Sequence, residues 1–161
     1  MTKKLLFVCM GNICRSPLAE GIFASLAKER GQRSYVVDSA GIIDWHAGES
    51  ADPRSQAVAH KHGIKLNGRA RQVATPGDFE NFDLLLAMDR QNFRDLRQLS
   101  PPEYHGKIRL MREFDPEGGE GTEVPDPYYG GPNGFDKVFD MLQRSCLNLL
   151  ELLEQNGGRI S

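Results

Sequence analysis

Long apolar runs are missing from this 161-residue sequence: the longest, Leu5–Met10, falls far short of the length a membrane-spanning helix needs. Lys3-Lys4 ahead of it gives the outline of a signal peptide, but the apolar region is too short, so a cytoplasmic protein is expected. Cysteine is scarce and odd in number, with three residues, which excludes the disulfide framework of a small secreted domain. Charge of one sign is not in excess: 20 Lys and Arg stand against 22 Asp and Glu, a net charge of −2. No nucleic-acid or membrane partner is therefore expected to be selected by charge. There is no internal repeat, low-complexity tract or linker, so residues 1–161 read as one domain, large enough to bury a real core.

Local signals alternate between strand and helix. Lys4–Cys9 has the apolar character of a buried parallel strand and ends in a turn. Ser16-Pro17 then reads as a helix cap followed by proline in the first turn, and Leu18, Ile22, Phe23 and Leu26 keep helical spacing up to a stop at Gly31. Tyr35–Ser39 is a second strand, with a loop over residues 41–50 that carries the single tryptophan, Trp45. Asp52-Pro53 opens a helix that runs to about Lys61, Asp83–Ala87 is a third strand, and Asp89 caps a helix reaching about Gln98. Lys107–Met111 is a fourth strand, and residues 113–134, rich in Gly, Pro and Asp, form a long loop. Phe135, Val138, Phe139, Leu142, Cys146, Leu149, Leu150 and Leu153 make one helical stripe, with Cys146 a core residue. The fold class is α/β: three layers around a mostly parallel sheet.

Chemistry concentrates where the first strand meets the first helix. Ligands of such sheets bind beyond the carboxyl ends of the strands, and a helix N-terminus there offers unpaired N–H groups and partial positive charge. Gly11 allows close approach or a positive φ, and Asn12 tolerates the left-handed region better than most residues. Arg15 offers a planar fork for two oxygens of a phosphate. Cys9, at the base of this cradle, would feel the loop amides, the helix terminus and Arg15, all of which favour a thiolate. Ser16 could donate a hydrogen bond to the sulfur. A C-x5-R match in isolation is equally compatible with a buried structural cysteine; the strand before it and the helix after it favour the chemical reading. Two cysteines in one loop without a nearby histidine do not make a zinc site, and no cofactor is expected. His46, His60, His62 and His105 are scattered and read as surface or capping residues.

The run Val8-Cys9-Met10-Gly11-Asn12-Ile13-Cys14-Arg15-Ser16-Pro17 resembles the active-site signature of the low-molecular-weight protein tyrosine phosphatases. The resemblance extends to Asp38-Ser39-Ala40-Gly41, Ala70-Arg71-Gln72, Met88-Asp89 and Asp126-Pro127-Tyr128-Tyr129. It implies a four-stranded parallel sheet flanked by helices, with a phosphate-binding loop after the first strand. It also implies hydrolysis of phosphotyrosine in proteins through a phosphocysteine, with Cys9 as nucleophile. Arg15 would bind phosphate and stabilise the transition state, and Asp126 would act as general acid and then general base. Met10, Gly11, Asn12, Ile13, Cys14 and Ser16 would contribute to substrate binding, with Trp45, Tyr128 and Tyr129 as walls for a flat ring. Asn12, Ser16 and Ser39 would support the loop; the histidine that some members carry in that shell is absent here, its position falling near Gly68. Cys14 matches a second loop cysteine that in relatives bonds to Cys9 as a reversible off-switch; its bland alternative is packing. The implied partners are phosphotyrosine proteins, with a tyrosine kinase as one candidate, and the protein is expected to be a monomer.

Three other readings compete. An arsenate reductase of the same fold would need a redox cysteine pair in a later segment, and residues 70–95 contain no cysteine. A phosphoarginine phosphatase of this family tends to carry threonine where this chain has Ile13. A phosphotyrosine-binding or redox-sensing module without turnover would not require the complete set of Cys9, Arg15 and Asp126.

Overall fold

The computed structural model describes residues 2–31, 34–119, 122–129, 131 and 133–160, with Tyr129 described in its backbone only. Four parallel strands, β1 (Lys3–Cys9), β2 (Tyr35–Gly41), β3 (Leu84–Ala87) and β4 (Ile108–Leu110), form one sheet in the order β2-β1-β3-β4. In the central strand β1, Leu5, Leu6, Phe7 and Val8 are all fully buried, because helices cover both faces of the sheet. Alternation then divides the core. Leu5, Phe7 and Cys9 face the layer of α1 (Arg15–Arg30) and α5 (Gly134–Gln155), where Phe23, Phe139 and Leu142 pack. Leu6 and Val8 face Phe79 of α3 (Gly77–Asn81) and Leu96 of α4 (Arg90–Leu99).

Several helix boundaries follow the local chemistry expected of them. Asp52 caps α2 (Pro53–Lys61) by accepting from the Arg54 N–H at 2.8 Å, and Asp89 caps α4 by accepting from the Asn92 N–H at 2.8 Å. Gly31 ends α1 in the left-handed region at φ 59°. Every position of the stripe read from Phe135 to Leu153 is buried in α5. Cys146 is fully buried there, and burial pushes its thiol far up.

The start of α1 departs from expectation. The helix begins at Arg15, Cys14 occupies the cap position without a side-chain bond, and Ser16 lies inside the first turn. Its hydroxyl does not cap the helix because it is engaged by Cys9 and Asn12. The short α3 carries too few apolar residues to show a period, and its Asp78 accepts instead from the Ala74 N–H at 2.7 Å.

The fourth strand stops at Leu110, and a 3-10 turn, Met111–Phe114, runs from its expected last residue into the long loop of residues 113–134, which holds a second one, Pro127–Tyr129. Asp115 ties its beginning to α5. Its buried carboxylate accepts from Arg112 Nε at 3.0 Å, Arg144 Nε at 3.0 Å, Arg144 Nη2 at 3.1 Å and the Glu117 N–H at 2.9 Å. Burial works against the charge, but the bonds from Arg144, Glu117 and Arg112 prevail and hold this carboxyl below its ordinary range. A carboxylate depressed in the folded state stabilises the fold above its unfolded pKa, about 3.9, and that contribution is lost as the pH falls toward the folded value. Asp115→Asn is expected to lower the unfolding free energy by about 2–3 kcal/mol at pH 7, read from urea denaturation. The difference should narrow below about pH 4. Equal denaturation midpoints at pH 7 would contradict this role.

Candidate active site

The parallel register brings the carboxyl ends of β1, β2 and β3 together, and the loop after β1 lies between them. The loop is held from behind. The Cys9 carbonyl accepts from the Ile42 N–H and the Met10 carbonyl from the Ile43 N–H, each at 3.0 Å. The Ile13 carbonyl accepts from the Asp52 N–H at 2.8 Å. Gly41 makes this approach possible, since a Cβ there would lie 3.0 Å from the Met10 carbonyl oxygen and 3.1 Å from the Gly11 carbonyl carbon. Asn12 adopts φ 60°, the left-handed conformation anticipated for it.

Side chains on the inner face of the loop form a directed chain. The Arg71 backbone N–H donates to Asn12 Oδ1 at 3.0 Å, and Asn12 Nδ2 donates to Ser16 Oγ at 2.8 Å. Ser16 Oγ lies 2.9 Å from Cys9 Sγ. Because Ser16 already accepts from Asn12, its hydroxyl proton is free to point at the sulfur.

Arg15 is buried, with 3% of its side chain exposed. Its Nη1 donates to Asp89 Oδ2 at 2.7 Å and to the Val124 carbonyl at 3.0 Å, while Nη2 lies 3.8 Å from Asp126 Oδ2. Burial disfavours the guanidinium charge, but Cys9, Asp89 and Asp126 outweigh it and tighten its hold on the proton. Asp89 therefore has two duties: one oxygen caps α4 and the other fixes the arginine. The Val124 N–H donates to the Met88 carbonyl at 2.8 Å, so the segment leading to Asp126 is fastened to the end of β3 and to Arg15 together.

These groups meet in a pocket of about 270 Å³. Cys9 and Arg15 are nearly closed off from solvent, Met10, Gly11, Ile13 and Cys14 line the loop side, and Asp126, Trp45 and Tyr128 stand around it. Trp45 is 80% exposed, so its indole has little protein around it and is available to a partner. Asp126 Oδ1 accepts from the Tyr128 N–H at 3.0 Å, which leaves Oδ2 on the Arg15 side. The Arg54 guanidinium sits 5.1 Å from the Tyr128 ring centre and donates to the Tyr128 carbonyl at 3.1 Å, steadying that wall.

Some residues expected at the site stand elsewhere. Asn12 and Ser16, read as substrate-binding, turn their side chains to the inner chain of hydrogen bonds and do not line the pocket. Ser39 shares a small cavity of about 50 Å³ with Asn12 and Gly68, but its hydroxyl donates to Glu20 at 2.6 Å, not to the loop. The Tyr129 side chain lies outside the described residues. Cys9 and Cys14 are both free thiols. Burial, then Asp52 and the Cys9 sulfur, push Cys14 up to about 12.

Two further pocket residues carry no local signal in the sequence. His46 and Ile43 line the pocket, and His46 covers Gly11 so closely that a Cβ there would lie 3.0 Å from the ring. His62, read as a surface or capping residue, is exposed at the C-cap of α2 and stacks on Phe139 with ring centres 3.9 Å apart. Among the described residues no group of His, Cys, Asp and Glu is arranged to hold a metal ion, and no helix is long and apolar enough to cross a membrane.

A parallel α/β sheet with a thiol and a guanidinium on one anion-binding loop defines a class, the cysteine-dependent phosphatases. The comparisons narrow it. The family model described as low molecular weight phosphotyrosine protein phosphatase matches residues 4–159, and the chain belongs to that family. A low molecular weight protein-tyrosine-phosphatase of Streptomyces coelicolor is 44% identical over 163 residues, covering 99% of each chain. The solved protein tyrosine phosphatase from Entamoeba histolytica, with Hepes in its active site, superposes with a TM-score of 0.90 at 42% identity, covering 96% of this chain and 99% of that one. The drosophila arginine phosphatase DARP superposes with a TM-score of 0.87 at 34% identity, covering 94% and 98%.

Proposed function

We propose that this protein hydrolyses phosphotyrosine in proteins through a phosphocysteine on Cys9. The observation that carries this reading is the convergence of Cys9, Arg15 and Asp126 on one pocket edged by Trp45 and Tyr128. The phosphoryl oxygens would lie among the loop N–H groups and the part of the Arg15 fork not engaged by Asp89 and Val124. Cys9 Sγ attacks phosphorus in line, the P–O bond to the ring breaks, and Asp126 Oδ2 delivers a proton to the departing phenolate. Asp126 then takes a proton from water, whose oxygen attacks phosphorus. The P–S bond breaks, inorganic phosphate leaves, and the sulfur is received by the Ser16 hydroxyl. The aromatic rim suits a flat ring, and a buried sulfur lies beyond the reach of a short phosphoserine. The substrates would be cytoplasmic phosphotyrosine proteins, a tyrosine kinase among the candidates, met by a monomer.

One observation favours a second substrate, phosphoarginine: the likeness to the drosophila arginine phosphatase. Ile13, an apolar pocket-lining residue, weighs toward the aryl phosphate. Comparison of kcat/KM on matched phosphotyrosine, phosphoserine and phosphoarginine peptides separates the readings. A preference for phosphotyrosine of about 100-fold or more is expected. Faster turnover of phosphoarginine would reverse the assignment.

A further inference from the structure

Arg71 touches neither the pocket nor any group that reacts, yet it heads the chain of hydrogen bonds that ends on Cys9. Its guanidinium is clamped between two carboxylates on different elements. Nε donates to Asp38 Oδ2 on β2 at 3.1 Å, and Nη1 and Nη2 donate to Asp78 of α3 at 2.9 and 3.2 Å. The backbone around it is pinned as well: the Gly41 N–H donates to the Arg71 carbonyl and the Val73 N–H to the Gly41 carbonyl, both at 2.8 Å.

The polarity of the chain is set at its head. A backbone N–H can only donate, so the group of Asn12 that faces Arg71 must be its carbonyl oxygen. That turns the Asn12 amino group, also donor-only, toward Ser16, and Ser16 is left with one proton to place. The remaining partner within reach is the Cys9 sulfur at 2.9 Å. If the Arg71 N–H withdraws, the carboxamide of Asn12 can rotate and present its oxygen to Ser16. The hydroxyl proton then turns to Asn12, and the sulfur loses its donor. The strained φ of Asn12 makes such support more consequential.

We propose that Arg71 is a positioning residue for the reaction: its clamp between Asp38 and Asp78 holds the N–H that, through Asn12 and Ser16, aims a hydrogen bond at Cys9. The proposal rests on the phosphatase reading for its consequence in turnover, but the state of the sulfur can be read without turnover. A hydrogen bond to the sulfur stabilises the negative charge that develops on it as the P–S bond breaks, so its loss impairs departure from phosphorus. Arg15, fixed by Asp89 and Val124, keeps its grip on the substrate.

In the full chain, Arg71→Met is expected to lower kcat on p-nitrophenyl phosphate about tenfold and to leave KM within about twofold. Alkylation of Cys9 by iodoacetamide at pH 6, followed by peptide mapping, is expected to slow by a similar factor. Asn12→Ala should show the same loss, and the double variant no further loss, because both act on one path. Arg71→Lys, which retains the charge without the fork, should recover part of the rate. If Arg71→Met does not fold, Asp38→Asn loosens the same clamp from its more exposed side and should slow alkylation in the same direction. An unchanged alkylation rate in a folded clamp variant, or losses that multiply in the double variant, overturns the proposal. If the wild-type protein turns over no aryl phosphate while alkylation still depends on Arg71 and Asn12, the phosphatase reading fails and the positioning role stands.

Discussion

Cys9→Ser is expected to reduce aryl phosphate hydrolysis by about 10⁴-fold or more while the folded protein continues to bind the substrate. The sulfur sits at the base of the pocket with 3% of the residue exposed, and Arg15 and the loop amides that would hold phosphate are fixed by other partners. Asp89, Val124, Asp52 and Gly41 do not depend on the thiol, so the phosphate cradle should survive its replacement. A serine hydroxyl is a far weaker nucleophile than a thiolate at neutral pH. The measurement is steady-state hydrolysis of p-nitrophenyl phosphate paired with calorimetric titration of inorganic phosphate. Retained turnover in a folded, phosphate-binding variant would remove the covalent route.

The second large effect concerns the leaving group. Asp126→Asn is expected to lower kcat by about 10²-fold on phenyl phosphate and much less on an aryl phosphate whose phenol is strongly acidic. The reason is electronic: an acidic phenol departs as the anion without help, whereas an ordinary phenolate needs the proton. Asparagine preserves the size and the bond from the Tyr128 N–H to the side-chain oxygen at 3.0 Å, so the loop should keep its shape. It removes only the transferable proton and the negative charge near Arg15. Rates across a series of phenols should therefore depend on leaving-group acidity more steeply in the variant than in the wild type. Parallel dependence in the two proteins would show that Asp126 is not the acid.

Much of this protein was legible from local signals. The apolar run of β1, the aspartate caps at Asp52 and Asp89, the left-handed glycine ending α1 and the buried stripe of α5 each rest on interactions between residues near in sequence. Where a local reading went astray, a distant partner had intervened. Ser16 has the chemistry of a cap, but Cys9 and Asn12 occupy its hydroxyl. Asp89 was legible as a cap, and its grip on Arg15, 74 residues away, was not. His46 carried no signal of its own because its place over Gly11 depends on how the loop after β2 folds back on the first loop.

The division has a physical cause. Periodicity, capping and turn chemistry act over a few residues, so the sequence by itself determined the four strands, the four longer helices and which loop bears the thiol and the arginine. The motif resemblance added Asp126 to that loop. Four short apolar strands satisfy the same pattern in many lateral orders; the observed order, β2-β1-β3-β4, puts the end of β3 beside the end of β1. That adjacency decided that Asp89 and the Val124 carbonyl hold Arg15. The pairing of Gly41 with Gln72 likewise decided that Arg71 reaches the back of the loop and sets the direction of the hydrogen bonds ending on Cys9.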